Sequence, residues 1–250
     1  MTKHEVGHTF LARLGKKRLR PGGIKATNWL IEQANLNEGK KVLEVACNMC
    51  TTSMELAKTY GCHITAVDMD PRVLEKARHN IASNNLEHKI TLQQANAMKL
   101  PFENETFDVV FNEAMLTMLN GKSKQKAISE YYRVLKPGGI LLTHDVMLAK
   151  EDMADTIEAL RKTIHVNVEP LTLSRWEQVF KEEGFAVSTS HGDMSLMSPK
   201  GMIRDEGLLG TLKIISNGLK KENRGMFKKM YSFFNHPEVK MEYIAVASRK

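Results

Sequence analysis

The sequence predicts an α/β fold: a doubly wound, mostly parallel sheet of seven strands with helices on both faces and a helical lid insert. Three observations carry this expectation. Short β-branched runs alternate with helix-length stretches between residues 41 and 143. Connections of that length give right-handed crossovers and therefore parallel neighbours. At 250 residues, 42% hydrophobic and 26% charged, the chain has the composition of a folded globular protein, which excludes disorder, collagen and coiled coil as whole-chain states.

The elements follow in order. Residues 41–45 (Lys-Val-Leu-Glu-Val) read as a buried strand, and 52–60 as the helix after it. Residues 64–68 form the second strand. Pro71 then opens a helix over 71–83, where its missing N–H costs nothing. Strands are expected at 90–94 and 107–111. A helix over 124–135 places Ile128, Tyr131, Tyr132 and Leu135 at helical spacing. Lys136-Pro137-Gly138-Gly139 reads as its stop, and 140–143 as the fifth strand. Helices at 149–163 and 173–184 lead to a sixth strand at 185–190. The seventh, 241–248, returns antiparallel beside it, and residues 198–235 form one or two helices inserted between the two.

This organisation is one domain over residues 1–250. It comprises an N-terminal helical segment (1–35), a ligand-binding core (36–190) and a lid insert (191–240). The crevice lies beyond the carboxyl ends of the strands, so functional residues should cluster just after each one. No stretch approaches the ~18 apolar residues of a membrane span. The first residues carry no apolar signal segment, and three cysteines argue against a disulfide framework. A reduced, cytoplasmic protein is the expectation.

Charge is unevenly placed. Residues 1–25 hold seven Lys/Arg against one Glu, residues 201–250 hold ten against five acids, and the remainder is mildly acidic. Such flanks fit either an anionic partner or ordinary solvated faces. No aromatic residue interleaves Arg13, Lys16, Lys17, Arg18 and Arg20, so a surface for stacking single-stranded nucleic acid is not indicated there.

The chemistry sits at the strand ends. The first strand runs through Glu44 into Ala46-Cys47-Asn48-Met49-Cys50, a tight turn feeding a helix start, which presents free N–H groups to a ligand. Asp68 ends the second strand and is placed to accept hydrogen bonds from two ribose hydroxyls. Asn96 can accept from an adenine amino group, and the Ala97 N–H can donate to the ring.

Val42-Leu43-Glu44-Val45, Ala66-Val67-Asp68, Leu100-Pro101-Phe102, Phe107-Asp108-Val109-Val110 and Arg133-Val134-Leu135-Lys136-Pro137-Gly138-Gly139 stand in the order and spacing of a known motif set. Over residues 20–190 the sequence resembles the class I S-adenosylmethionine-dependent methyltransferases, with their Rossmann-like fold. Within them it is similar to the small-molecule branch that includes ubiquinone and menaquinone methyltransferases. The resemblance implies that Glu44 and the loop to Thr51 hold the methionine part of S-adenosylmethionine, Asp68 the ribose and Met69 the adenine face. Asn96 and Ala97 would read the adenine edge. Asn112, after the fourth strand, would face the methyl group. Arg20 is a candidate for the cofactor carboxylate.

The sequence departs from the family's Glu-x-Gly-x-Gly-x-Gly pattern, because Ala46, Asn48 and Cys50 stand at the glycine positions. Glycine suits positive φ and close ligand approach there. Asn48 tolerates that conformation best of the three. The expectation is a slightly displaced cradle.

His144, after the fifth strand, is the candidate general base, ahead of His191, and Glu113 is a further candidate. His4-Glu5-Val6-Gly7-His8 matches H-E-x-x-H but lacks a third ligand, so no metal is expected and a polar N-terminal helix is the simpler reading. That helix folding over the crevice would let His8 meet the substrate. Cys47-x-x-Cys50 reads as two small residues in a tight turn. The methionines near the lid (Met194, Met197, Met202) read as packing or as a flexible apolar pocket. The leading expectation is methyl transfer to a small-molecule acceptor, anionic or apolar. Two alternatives stand beside it: an RNA methyltransferase using the basic flanks, and a non-catalytic cofactor-binding protein.

Overall fold

A computed structural model describes residues 5–194, 196–236, 239 and 241–250. Among the described residues eight strands form one sheet. These are β1 (Lys41–Val45), β2 (His63–Asp68), β3 (Ile90–Gln94), β4 (Phe107–Glu113), β5 (Leu135–Leu148), β6 (Leu171–Thr172), β7 (Ala186–Asp193) and β8 (Met241–Arg249). Their order is β3-β2-β1-β4-β5-β8-β7, with β6 on β5. β1 to β5 are mutually parallel, and β8 runs antiparallel between β5 and β7. The seven-stranded, mostly parallel sheet with an antiparallel last strand is therefore present, with the two-residue β6 added.

Successive residues of β1 and β4 feed opposite faces, as the pleat requires. Val42, Val109 and Phe111 pack with α2 (Gly23–Ala34), α3 (Thr51–Tyr60) and α4 (Pro71–Ser83). Leu43, Val45 and Val110 pack with α5 (Gly121–Val134) and α7 (Leu173–Lys181) around Tyr131, Trp176 and Phe180. Each large buried side chain contributes roughly 1.5–3 kcal/mol. α4 starts as its sequence dictates, with Asp70 accepting from the Arg72 N–H and Pro71 in the first turn.

β4 and β5 are longer than their apolar runs predict. β5 begins at Leu135 because Gly138 and Gly139 pair with the last residue: Gly138 N–H donates to the Lys250 carbonyl and Lys250 N–H to that of Gly139, both at 3.0 Å. It continues to Leu148 because β8 pairs with it from Ile140 to Leu148. Beyond the end of β4, β6 takes over that edge at Met147 and Leu148.

A second layer of helices caps the carboxyl ends. α1 (Gly7–Leu14), α6 (Ala154–Ile164), α8 (Pro199–Leu219) and α9 (Arg224–Phe234) join there, and Phe10, Leu11, Leu14, Met202, Ile214 and Phe227 share one core. Met197 and Met202 belong to that packing. α1 is amphipathic rather than polar. Glu5 precedes it and binds Arg13, and His4 lies outside the described residues. Among the described residues no helix is long and apolar enough to cross a membrane.

Candidate active site

The turn after β1 settles how a cradle without glycine can form. Ala46, Asn48 and Cys50 have φ of 58°, 47° and 58°, all left-handed. The chain thus adopts the conformation glycine favours, at a cost of roughly 1–2 kcal/mol per ordinary residue and less for Asn. The turn closes through Cys50 N–H to the Cys47 carbonyl at 2.8 Å, and Cys47 N–H ties it to β2 through Val67. Both thiols are buried. A hydrogen bond to Cys50, with burial, pushes the Cys47 thiol far up, so it stays protonated.

Two acids hold the turn. Glu44, fully buried, accepts from the Ser53 N–H at 3.0 Å and from the Ser53 hydroxyl at the start of α3. Asp68 accepts from the Asn48 N–H and the Asp70 N–H, each at 3.0 Å. A carboxylate has about four lone-pair sites, so Asp68 is oriented and still has acceptor capacity. Burial raises the Glu44 carboxyl to about 7; the Ser53 hydroxyl opposes that shift and the charge of Glu113 adds to it.

The floor is a buried ionic cluster. Arg20 meets Glu113 at 2.6 Å through Nε. It also donates to Thr27 at 2.9 Å and to the Thr52 hydroxyl. Thr27 and Thr52 donate in turn to the two Glu113 oxygens, each at 2.9 Å. Burial alone would raise Glu113, but Arg20 and His144 outweigh it and its carboxyl sits below the usual value. The N-terminal segment that brings Arg20 here is clamped by α8: Glu206 accepts from the Lys17 and Arg18 N–H groups, and Asp205 from that of Ile24. The clamp ends at Gly207, whose φ of 73° kinks α8.

The predicted residues divide into two groups. Glu44, Ala46, Asn48, Asp68 and Arg20 come together in one polar cavity of about 1110 Å3, including its open mouth. Met69, Asn96 and Ala97 gather beside Asp68, through Ala95 N–H to the Asp68 carbonyl and Gln94 Nε2 to the Met69 carbonyl. They lie outside the cavity lining; Met69 is 63% exposed, and the Asn96 side chain accepts from the Met98 N–H.

Asn112 and His144 are placed otherwise. Because β4 runs to Glu113, Asn112 is inside the strand, fully buried, with its amide donating to Thr143 at 3.0 Å. Glu113, on the opposite face, is the residue that reaches the cavity. Because β5 runs to Leu148, His144 is also internal. Its Nε2 accepts from the Gly22 N–H at 2.9 Å, so Nδ1 carries the proton and donates to Glu113 at 3.1 Å. His144 is a buried support for Glu113, with no free lone pair. His191 stands at an exposed site against Glu242.

A second cavity, of about 680 Å3 including its open mouth, lies under the helical layer. Leu11, Leu160, Ile164, Val168, Met230 and Phe234 are among its apolar lining residues, and Met194 adds to them. His8, Leu19, Ala114 and Met118 line both cavities and mark their junction. Burial lowers the His8 pKa, against the pull of Asp68, so the imidazole is neutral at pH 7. Thr27, Thr52 and Leu19 carry no sequence signal for this site. Thr52 was recognisable only as part of the first turn of α3.

Four of the five residues of the basic N-terminal run are paired with acids of the same chain. Arg13 pairs with Glu5, Lys16 with Glu206, Arg18 with Glu55 and Arg20 with Glu113. Among the described residues no cluster of three His, Cys, Asp or Glu has a metal-binding arrangement.

Known proteins match this architecture. Residues 42–139 match the family described as a methyltransferase domain. An uncharacterized protein of Haemophilus influenzae is 60% identical over the whole of both chains. The sterol 24-C-methyltransferase of Candida albicans is 32% identical across 67% of this chain, and the match spans 46% of that enzyme. Among solved structures, the Haemonchus contortus phosphoethanolamine N-methyltransferase 2, in complex with phosphomonomethylethanolamine and S-adenosylhomocysteine, superposes with a TM-score of 0.76 at 17% identity. That superposition covers 98% of this chain and 57% of the other. Residues 42–139 therefore belong to the methyltransferase-domain family, and the chain as a whole shares the fold of the solved enzyme. The polar cavity suits S-adenosylmethionine, the cofactor the resemblance implies: Asp68 keeps free acceptor sites and Arg20 has N–H donors beyond its three bonds.

Proposed function

We propose that this chain transfers a methyl group to a small-molecule acceptor held in the second cavity, by in-line displacement. The junction at His8, Leu19, Ala114 and Met118 carries the reading, because it joins a polar, acid-lined cavity to an apolar one. Bound in the polar cavity, the cofactor supplies an electrophilic methyl carbon on a good leaving group. The protein's part is to align the two reactants and to exclude water.

Asp68 is assigned the ribose, Met69 the adenine face, and Asn96 and Ala97 the adenine edge. Glu44, with Ala46 and Asn48 of the turn, is assigned the methionine end. Arg20 has more N–H donors than its three bonds use, which suits it to a carboxylate. Alignment at the methyl group, expected of Asn112, is assigned to the segment Glu113–Ala114–Met115, which lines the cavity. The base role expected of His144 is assigned to His8, whose neutral imidazole stands at the junction. The three cysteines, all free and buried, suit a reducing cytoplasm.

RNA as acceptor is disfavoured by the internal pairing of the basic segment. The test is release of S-adenosylhomocysteine in a screen of small-molecule acceptors with wild type and His8→Ala. For an acceptor that must lose a proton, a turnover loss of roughly 10²–10⁴-fold with unchanged cofactor affinity is expected. Equal turnover for such an acceptor would remove His8 from the mechanism.

A further inference from the structure

We infer that the outer face of α8 beyond its kink is a docking surface for an anionic lipid bilayer, on which the protein lies without crossing it. Three observations carry this, and none depends on the proposed reaction.

The first is an apolar row with nothing over it. Gly207 breaks α8, and residues 208–219 form the piece beyond, about 18 Å long at 1.5 Å per residue. Its inner face is packed. Thr211, Ile214 and Gly218 are buried, and the Phe227 ring lies so close to Gly218 that a Cβ there would clash. Asn217 ties the piece to α1 by donating to the Leu14 carbonyl at 3.0 Å. On the outer face Leu208, Leu212, half-buried Ile215 and Leu219 are spaced by four, three and four residues, which puts them in one row with Leu209 beside it. Leu208, Leu209, Leu212 and Leu219 are 62%, 82%, 54% and 52% exposed. Apolar residues exposed singly are ordinary, whereas a contiguous group marks an interaction surface.

The second is charge. Residues 208–231 carry six Lys/Arg against one acid. Lys213, Lys220, Lys221, Arg224, Lys228 and Lys229 are all exposed, and among the described residues none of them forms an ion pair. Lys213 stands one turn on from Leu209, and Lys220 and Lys221 follow Leu219 at the end of the row. The N-terminal run is the reverse case, since acids of the same chain hold most of its cations.

The third is the poor match to other cover. A second copy of this chain would bring the same positive segment against itself. Five apolar side chains are also a small part of the roughly 20–30 residues a side in a stable protein interface. No aromatic residue stands in the row, so nucleic-acid bases have no platform to stack on. A bilayer surface asks for less. Leucines enter the headgroup boundary while lysines meet anionic lipid, and the two contributions together anchor what neither holds alone.

The experiment is co-sedimentation of the full chain with vesicles of phosphatidylcholine, alone and with about a third phosphatidylglycerol, at low and at high salt. Saturable binding to the mixed vesicles at low salt is expected, at least ~ten-fold weaker without phosphatidylglycerol or at high salt. Leu209→Ser combined with Leu212→Ser keeps the net charge and should weaken binding at least ~ten-fold. Lys213→Gln combined with Lys220→Gln keeps the leucines and should weaken it several-fold. All four side chains are exposed, so thermal melts should match wild type. Leu209→Trp serves if the leucine double variant does not fold: its emission should move to the blue on mixed vesicles, beyond any change in wild type. Three results would overturn the assignment: no saturable binding to mixed vesicles, binding indifferent to the leucine substitutions, or an unshifted emission. So would self-association of wild type that the leucine variant loses, because a second copy would then cover the row.

Discussion

The two cavities are built by different rules. The polar one is centred on short, local pieces: the ends of β1 and β2, the turn after β1 and the start of α3 supply Glu44, Asp68, Asn48 and Thr52, and Arg20 and Glu113 join them from elsewhere in the chain. The apolar one is assembled from distant segments, from Gly7 to Phe234, that meet only through packing. Hydrogen bonds fix the first site residue by residue. Hydrocarbon contact shapes the second. On the proposed reading the fold separates holding a charged cofactor from choosing an acceptor, and a substitution should disturb one cavity without the other.

The strongest way to break that separation is through Arg20, which supports the polar cavity from the N-terminal segment. Arg20→Met leaves Glu113 buried without its cation. Breaking a buried pair typically costs about 3–5 kcal/mol, so chemical denaturation should show a loss of that order.

Glu44 sharpens the comparison through pH. Burial raises its pKa to about 7 in the folded protein. Between the unfolded value, near 4.5, and about 7, the folded state keeps a proton that the unfolded chain releases. This contribution to stability is complete below the unfolded pKa and is lost as pH rises through about 7. Glu44→Gln should flatten the dependence. Above pH 7 it should be more stable than wild type by on the order of 2 kcal/mol. The same change should weaken S-adenosylhomocysteine, whose ammonium favours the carboxylate. Denaturation and calorimetry at pH 5 and pH 8 check both signs.

The smallest expected effect is in the turn. Ala46→Gly relieves left-handed backbone and should raise stability by roughly 1 kcal/mol, visible in thermal melts, whereas at Cys50, buried in the core, the same change also removes packed atoms and should gain less.

Legibility in the sequence follows the same division. The helix expected over 71–83 is α4 itself, because Asp70 and Pro71 fix its start locally. Asp68 was legible because an acid at a strand end is a local signal. Asn112 and His144 were misplaced by strand length. Polar residues after an apolar run read as the strand's end, yet here they continue it, paired with β5 and β8 partners that no local pattern reveals. The Pro137-Gly138-Gly139 run reads as a break, and pairing with Lys250 carries the strand through it. The second cavity left almost no trace, since its wall residues look like any core. Met194 and His8 were the visible pieces, and neither names the cavity alone.

The account depends most on the acid that ends β2 holding the cofactor. Calorimetric titration of wild type and Asp68→Ala with S-adenosylhomocysteine tests it directly. Tight binding by wild type and a loss of at least ~100-fold in the variant are predicted, the scale of a buried charged hydrogen bond left unmade. Near-equal affinities for the two proteins would contradict it.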